Sequence, residues 1–281
     1  MDSDNLNFCH QNLQNHSFKA LELHDANFSG ADVRGCDFSQ AQLQRANFVK
    51  AKFGQSTRIF LSLRITGFIV LCLTFIAVSQ MAFGVIGNTP EIPAWSYTKA
   101  LVVSLAISGI GASLRRVFPQ KSSLENLITT LSGLASAALI GFYYGGIMQN
   151  KNPQFAAISA IVSSIIVAIL CLVFKNGLMR VIVAVAGFTC NYGLAFLISS
   201  VAFAYLSTQN YLMGSIWGIL TVILLAVTMR SLNLAIQEIT TTSITNFRGA
   251  NLENARFDSD INQKKVDFTA ANTHNINSQE I

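Results

Sequence analysis

Few residues of this chain carry charge. Only 12% are Asp, Glu, Lys or Arg, against 51% hydrophobic, which excludes an ordinary soluble domain and fits a multi-spanning membrane protein. Constellations that perform chemistry are missing as well. The four histidines, His10, His16, His24 and His274, all lie in the polar ends, and although Cys9 adjoins the first, their spacing matches no zinc pattern. No phosphate loop, nucleophile elbow or dinucleotide fingerprint occurs; Gly109-Ile110-Gly111 is a lone pair inside an apolar run and reads as helix packing. Asp258 and Asp260 fall on what should be a solvated loop. The chain therefore reads as not an enzyme, with no catalytic, cofactor or metal site. Five cysteines are an odd number, and Cys72, Cys171 and Cys190 lie in apolar stretches, so no disulfide framework is implied. Nor does an apolar run suited to a secretory signal precede Arg64, which predicts an amino terminus that stays in the cytoplasm.

The charge present is unevenly placed. Residues 1–57 carry five basic against six acidic residues, residues 239–281 four against five, and the middle of the chain ten against three. The basic balance belongs to the apolar middle, and a nucleic-acid partner, which needs a basic patch on the polar part, is excluded.

What is present is a period of five. Phe8, Leu13, Phe18, Leu23, Phe28, Val33, Phe38, Leu43, Phe48 and Phe53 occupy one frame, and residues 1–57 contain only thirteen Phe, Leu or Val in all. Chance would place ~3 of them in one frame, so the frame is real. Two places before the later members stands a small residue: Ala26, Ala31, Cys36, Ala41, Ala46 and Ala51. The first units carry Leu6, Gln11, His16 and Leu21 there instead, which reads as an irregular end or cap. A period of five fits neither a helix nor an uninterrupted strand, so the chain must turn a corner in each unit. The frame returns after the apolar middle at Phe247, Leu252 and Phe257, with Ala250 and Ala255 in the small slot. It then slips, because Phe268 lies eleven residues beyond Phe257; a bulge or loop near Asn262 would absorb the extra residue.

The units ANFSG, ADVRG, CDFSQ, AQLQR, ANFVK and AKFGQ resemble the pentapeptide repeat family. The resemblance implies a right-handed quadrilateral β-helix with four units per turn. Positions 20 apart would then lie in columns, Phe8 with Phe28 and Phe48, Phe18 with Phe38, and leave a filled interior without room for a ligand. The membrane-anchored type of this family is common in cyanobacteria.

Between the polar ends the sequence predicts six spans, at about 65–86, 94–114, 126–147, 155–174, 181–206 and 211–229, each near the ~20 residues a crossing helix needs. Arg58, Arg64, Arg115, Arg116, Lys121, Lys175, Arg180 and Arg230 fall in or beside alternate connections, whereas the opposite ones hold Lys99, Lys151 and Glu91. This bias places both termini in the cytoplasm. Trp95, Tyr97, Tyr143, Tyr144, Tyr205 and Tyr211 map to the outer ends as an interfacial belt. Stripes of small residues, such as Gly133, Ala137, Gly141 and Gly145, let helices approach closely. Asn191 is the only strongly polar candidate near mid-membrane.

The expected fold class is thus an α+β membrane protein: the β-helix plus a six-helix transmembrane bundle. Residues 1–57 form the first part of the β-helix, 58–238 the helices, and 239–281 a repeat segment that completes the β-helix, two independent stubs being the other arrangement. Residues Phe8 to Phe53 of the frame, with Phe247, Leu252 and Phe257, are its structural repeat core. Partners expected are the lipid bilayer of a bacterial inner or thylakoid membrane and a protein on the cytoplasmic repeats; small-residue stripes and an uncapped coil end permit a homo-oligomer. Function reads as a non-enzymatic interaction scaffold or anchor, with a transporter or channel-like protein carrying a regulatory β-helix as the alternative. Mimicry of DNA, which the resemblance also brings up, needs a strongly acidic rod, and each tail is only one charge negative.

Overall fold

The computed structural model describes residues 6–114, 123–173, 177–258 and 265–276. Arg115, Arg116, Lys121, Lys175, Asp260 and the slip near Asn262 lie outside them. Six helices are present: α1 Thr57–Val85, α2 Trp95–Leu114, α3 Ser123–Met148, α4 Pro153–Val173, α5 Gly177–Ser207 and α6 Tyr211–Thr241. The chain divides into two compact units, Met1–Ser62 with Thr240–Ile281, and Leu63–Ile239.

In the first unit each five-residue repeat does two things. One residue pairs with a neighbouring coil, and the next few turn. Parallel bridges join Asn7 to Asn27, Asn12 to Asp32, Ser17 to Asp37, Glu22 to Gln42 and Asn27 to Asn47, always 20 residues apart. The N–H of Phe28 donates to the Asn47 carbonyl at 2.8 Å, and that of Asn47 to the Ala26 carbonyl at 2.9 Å. The carbonyl of the apolar residue then accepts from the N–H three places on, as Phe28 does from Ala31 at 3.0 Å. The third residue of each such turn has positive φ: 57° at His10, 63° at Asn15, 60° at Asp25, 60° at Gln40 and 59° at Arg45, with Gly30 and Gly35 at the equivalent corners. This is the signature of a type II turn, which glycine enters without strain. Asn or Asp recurs at the bridging place because its side-chain oxygen accepts the N–H two residues on. Ser29 donates to Asn27 Oδ1 at 3.0 Å, Ser39 to Asp37 Oδ1 at 3.0 Å and Val49 to Asn47 Oδ1 at 3.1 Å, a local bond that favours the turn.

The expectation of an α+β chain built on a right-handed quadrilateral β-helix is corrected here. Six helices make up most of the described residues. The only strands among them are β1 Thr245–Asn246 and β2 Val266–Asp267, two residues each and paired in parallel. The physical reason lies in the repeat itself: a unit that spends one residue on pairing and then turns yields isolated bridges, which cannot merge into continuous strands.

The C-terminal segment lies against the N-terminal coil. Asp37 pairs with Asn246, Gln42 with Asn251 and Asn47 with Arg256; the Phe38 N–H donates to the Asn246 carbonyl at 2.7 Å, and the Asn246 N–H to the Cys36 carbonyl at 2.9 Å. Thr245, fully buried, donates from Oγ1 to the Val33 carbonyl at 2.9 Å and accepts from the Gly54 N–H at 3.1 Å. Beyond Phe257 the spacing lengthens by one: Asn251 pairs with Asn272, and Phe268 stacks on Phe247.

In the second unit α3 packs on α4 and α2, and α5 on α2 and α3. Gly141 and Gly145 of α3 meet Ser163 and Ser159 of α4 so closely that a methyl at either glycine would collide. The Ser163 hydroxyl donates to the Ala137 carbonyl at 2.8 Å, and the Ser164 hydroxyl to that of Leu134 at 3.2 Å. Close approach of small residues with hydroxyl cross-links is how helices associate where lipid offers no hydrophobic drive. All six helices are long and apolar enough to cross a membrane. Their outer faces agree: Phe68, Phe203, Tyr211, Leu212 and Val222 are each about two-thirds exposed or more, far more apolar surface than water tolerates. Two helices run past their expected ends. Helix α6 continues to Thr241, because Ser231, Ala235 and Glu238 keep a buried helical stripe, and α1 begins at Thr57.

Candidate interaction surface

The recurring apolar residues of the repeats spend themselves on one another. Leu13, Phe18, Leu23, Phe28, Val33, Phe38, Leu43, Phe48, Phe247, Leu252 and Phe257 are buried, and Phe8 and Phe53 are half-buried against the same core. Rings stack in two files. Phe8, Phe28, Phe48 and Phe257 follow one another at centroid spacings of 4.8, 4.9 and 5.0 Å; Phe18, Phe38, Phe247 and Phe268 follow at 5.0, 4.9 and 5.5 Å. The files meet edge to face, as Phe38 and Phe48 do at 5.7 Å and 86°. Offset stacks and T-shaped pairs contribute about 0.5–1.5 kcal/mol each beyond burial. Phe53 joins neither file and lies tilted beside Phe48 and Phe257.

Polar side chains are left to face outward. Arg34 holds Asp32 through Nε at 2.8 Å and Nη2 at 2.6 Å, and Arg45 holds Asp25 through Nε and Nη2, both at 2.7 Å. The Arg34 guanidinium, helped by a Gln14 amide, holds the Asp32 carboxyl below its usual range, and Arg45 does the same to Asp25. Asp258 accepts the Lys50 N–H at 2.7 Å and so closes a corner.

Reactive chemistry is damped where it could have been looked for. Burial pushes the Cys36 thiol up to about 12, and its Sγ donates to the Leu13 carbonyl at 2.9 Å; it is packing, since a thiol that does not ionise is a poor nucleophile and ligand. Among the described residues no three His, Cys, Asp or Glu side chains group as a metal site. Of the irregular first-unit residues, Leu6 packs partly on the core, while Leu21 is 47% exposed.

The outward faces of this unit, polar over a filled interior, are the candidate site. Eight copies of the pentapeptide repeats family match residues 4–40 and 22–57. The pentapeptide repeats thus recognised end at residue 57, and the C-terminal segment that pairs with them lies beyond the match. No curated protein and no solved structure matches the chain.

In the helical unit Asn191 is fully buried, and its Nδ2 donates to the Gly109 carbonyl at 2.9 Å and to Ser113 Oγ at 2.8 Å. Its Oδ1 lies over Gly109, where any Cβ would collide. Ser132 donates to the Ser108 carbonyl at 2.6 Å, and Ser108 and Ser136 share a hydroxyl contact. These polar groups therefore tie α2 to α5 and α3. A crevice of about 360 Å³ opens among Met81, Tyr97, Leu101, Ser104, Leu139 and Phe142.

Thr245 occupies the small-residue place two before Phe247, where a threonine among its Thr and Ser neighbours carries no sequence mark of the bonds it makes. The positive-φ corners do carry one, Gly30 and Gly35, five apart.

Proposed function

We propose that this is a multi-pass membrane protein whose pentapeptide repeats serve as a non-enzymatic protein-interaction scaffold or anchor. The reading places the repeats and both termini in the cytoplasm, at a bacterial inner or thylakoid membrane. One observation carries it: the repeat unit buries its recurring Phe and Leu residues against each other and presents polar side chains at fixed spacing. Such a surface can hold a partner along its polar faces. Supporting the orientation, Arg58 and Arg64 lie in the first two turns of α1, Arg180 in the first turn of α5, and Arg230 in the second half of α6. The first coil also leaves the N–H groups of Asn7, Asn12, Ser17 and Glu22 without backbone partners among the described residues, an edge to which a partner strand or a second copy can add.

Photo-crosslinkers at the exposed positions Gln40, Arg45 and Lys50 test the scaffold in cells. The expected result is one protein recovered from adjacent positions and lost when Arg45 and Lys50 are both replaced by Glu. Crosslinks scattered over many proteins at random, unchanged by those replacements, would overturn the reading. The crevice beside Ser104 is the observation behind the second reading, a transporter or channel. Solute flux into liposomes carrying the purified protein, abolished by Ser104→Trp, would favour that one instead.

A further inference from the structure

We propose that the repeat unit carries an oxyanion-binding site at the junction of its first coil with the start of α1. A depression of about 310 Å³ opens there, lined by Asn12, Gln14, Asn15, His16 and Arg58. None of these five is a carboxylate. More telling is which of their polar atoms are already engaged. Asn12 Oδ1 accepts the Gln14 N–H at 3.3 Å. Gln14 Oε1 accepts from the Ser56 hydroxyl at 3.1 Å, and Gln14 Nε2 donates to Asp32 Oδ2 at 2.8 Å. Asn15 Oδ1 lies over the α-carbon of Gly35, where a methyl would collide. His16 Nδ1 is 2.9 Å from the Leu13 carbonyl, so that nitrogen donates and the ring is held by the backbone.

What remains is a set of donors: Nδ2 of Asn12, Nδ2 of Asn15 and the guanidinium of Arg58. Arg58 makes no hydrogen bond or ion pair among the described residues. The carboxylate that Gln14 touches, Asp32, is compensated by Arg34, whose Nη1 also donates to Thr57 Oγ1 at 3.1 Å. The field is positive for a further reason. Helix α1 starts at Thr57, and the Phe60 N–H donates to the Ser56 carbonyl at 2.9 Å; the N–H groups of Thr57, Arg58 and Ile59, in the first turn, have no partner among the described residues and stand at the positive end of the helix dipole. Free donors around an unpaired arginine, with the amide oxygens of Asn12 and Gln14 committed elsewhere, match a tetrahedral oxyanion such as a phosphate group. Arg58 stands just ahead of the apolar run of α1, so the phosphate can be dissolved in water or belong to an anionic lipid headgroup.

Full-length protein in neutral detergent distinguishes these sources. In one arm inorganic phosphate is titrated against chloride at matched ionic strength and binding is read by calorimetry. In the other the protein is extracted with phosphatidylglycerol or phosphatidylcholine, and retained lipid is counted by native mass spectrometry. Arg58→Gln and Asn15→Asp should each weaken the response about tenfold or more, the loss expected for one charge-assisted hydrogen bond. Lys52→Gln, which alters an exposed cation outside the depression, should not. Arg58 and Asn15 are exposed, and Asp tolerates the left-handed backbone of Asn15, so both variants should keep the wild-type circular dichroism. A response to phosphate assigns a dissolved anion, and selective retention of phosphatidylglycerol assigns a headgroup. No response in either arm, or equal responses from wild type and Arg58→Gln, would overturn the proposal.

Discussion

Phe28 and Phe48 are stacked, their ring planes 2° from parallel and their centroids 4.9 Å apart, although twenty residues separate them. Both are completely buried. The rise of the coil is thereby matched to the thickness of stacked rings, and the core has no slack for a different side chain.

Truncating Phe38 to Ala should cost about 3–5 kcal/mol, the range for a buried aromatic that leaves a cavity. Phe38 touches both files and stacks on Phe18 and Phe247. Phe8→Ala should cost clearly less, because Phe8 is half-buried in the first coil. Denaturant-dependent proteolysis of the repeat unit within the full chain measures the two.

Thr245→Val keeps the shape and removes the hydroxyl. The Gly54 N–H loses its Oγ1 acceptor in a buried place, which should cost about 1–3 kcal/mol. Hydrogen exchange should rise at Gly54 and through Asn246–Phe257 while the coil nearest Phe8 stays protected.

Stability of the repeat unit should fall in acid with a definite sign. Asp32 and Asp25 have carboxyls held below the ordinary value of 3.8 by Arg34 and Arg45. A lowered folded-state value means the contribution is fully present above the unfolded value, and is lost as pH falls below 3.8 toward the folded one. The thermal midpoint should therefore not respond to these groups between pH 7 and 5, and Arg34→Gln should remove part of the drop below pH 4. A drop centred near pH 6 would contradict this assignment.

Thiol reagents should separate Cys9 from Cys36. Cys9 is half-buried with its Sγ 3.1 Å from Ser29 Oγ, whereas Cys36 is fully buried with its thiol pushed up to about 12. A membrane-impermeant maleimide should label Cys9 in inverted vesicles and not in intact cells, and Cys36 only after unfolding. Labelling in intact cells would reverse the proposed orientation.

Gly109→Ala should be more damaging than Asn191→Ala. The glycine's missing Cβ is the space that the Asn191 amide fills, while losing the amide removes interhelical bonds worth ~0.6–1.7 kcal/mol in a membrane. Combining the two substitutions should recover only part of the glycine loss, since the alanine Cβ escapes the side-chain amide but still lies 2.8 Å from the Asn191 backbone nitrogen. Unfolding of the four proteins in mixed micelles closes the cycle.

The parts of the fold written in the sequence are those with a period. Phe28, Phe38 and Phe48 recur at a spacing no ordinary element uses, and the helices from Thr57 to Thr241 are bounded by charge and length. What a period cannot carry is which bonds break it. Pairing reduced to single residues looks like strand in a sequence pattern, which is why the expected β architecture had to be corrected to helices with two short strands. The donors at the head of α1 were equally hidden: Asn12 and Asn15 are polar fillers in their units, and Arg58 reads as one more positive charge before a span. They gather only because the coil returns to Ser56, where Gln14 bonds it.

The pairing of Cys36 and Phe38 with Asn246 has a consequence in time. Roughly 190 residues of helix and connection separate Gly54 from Thr245, and at synthesis rates of about 5–20 residues per second the rings of Phe38 and Phe48 wait on the order of 10–40 seconds for Phe247 and Phe257 to cover them. Until then they are the adhesive surface of an unfinished chain, the kind a chaperone would hold. Closure of that surface is a late event that signals the helices have all been made.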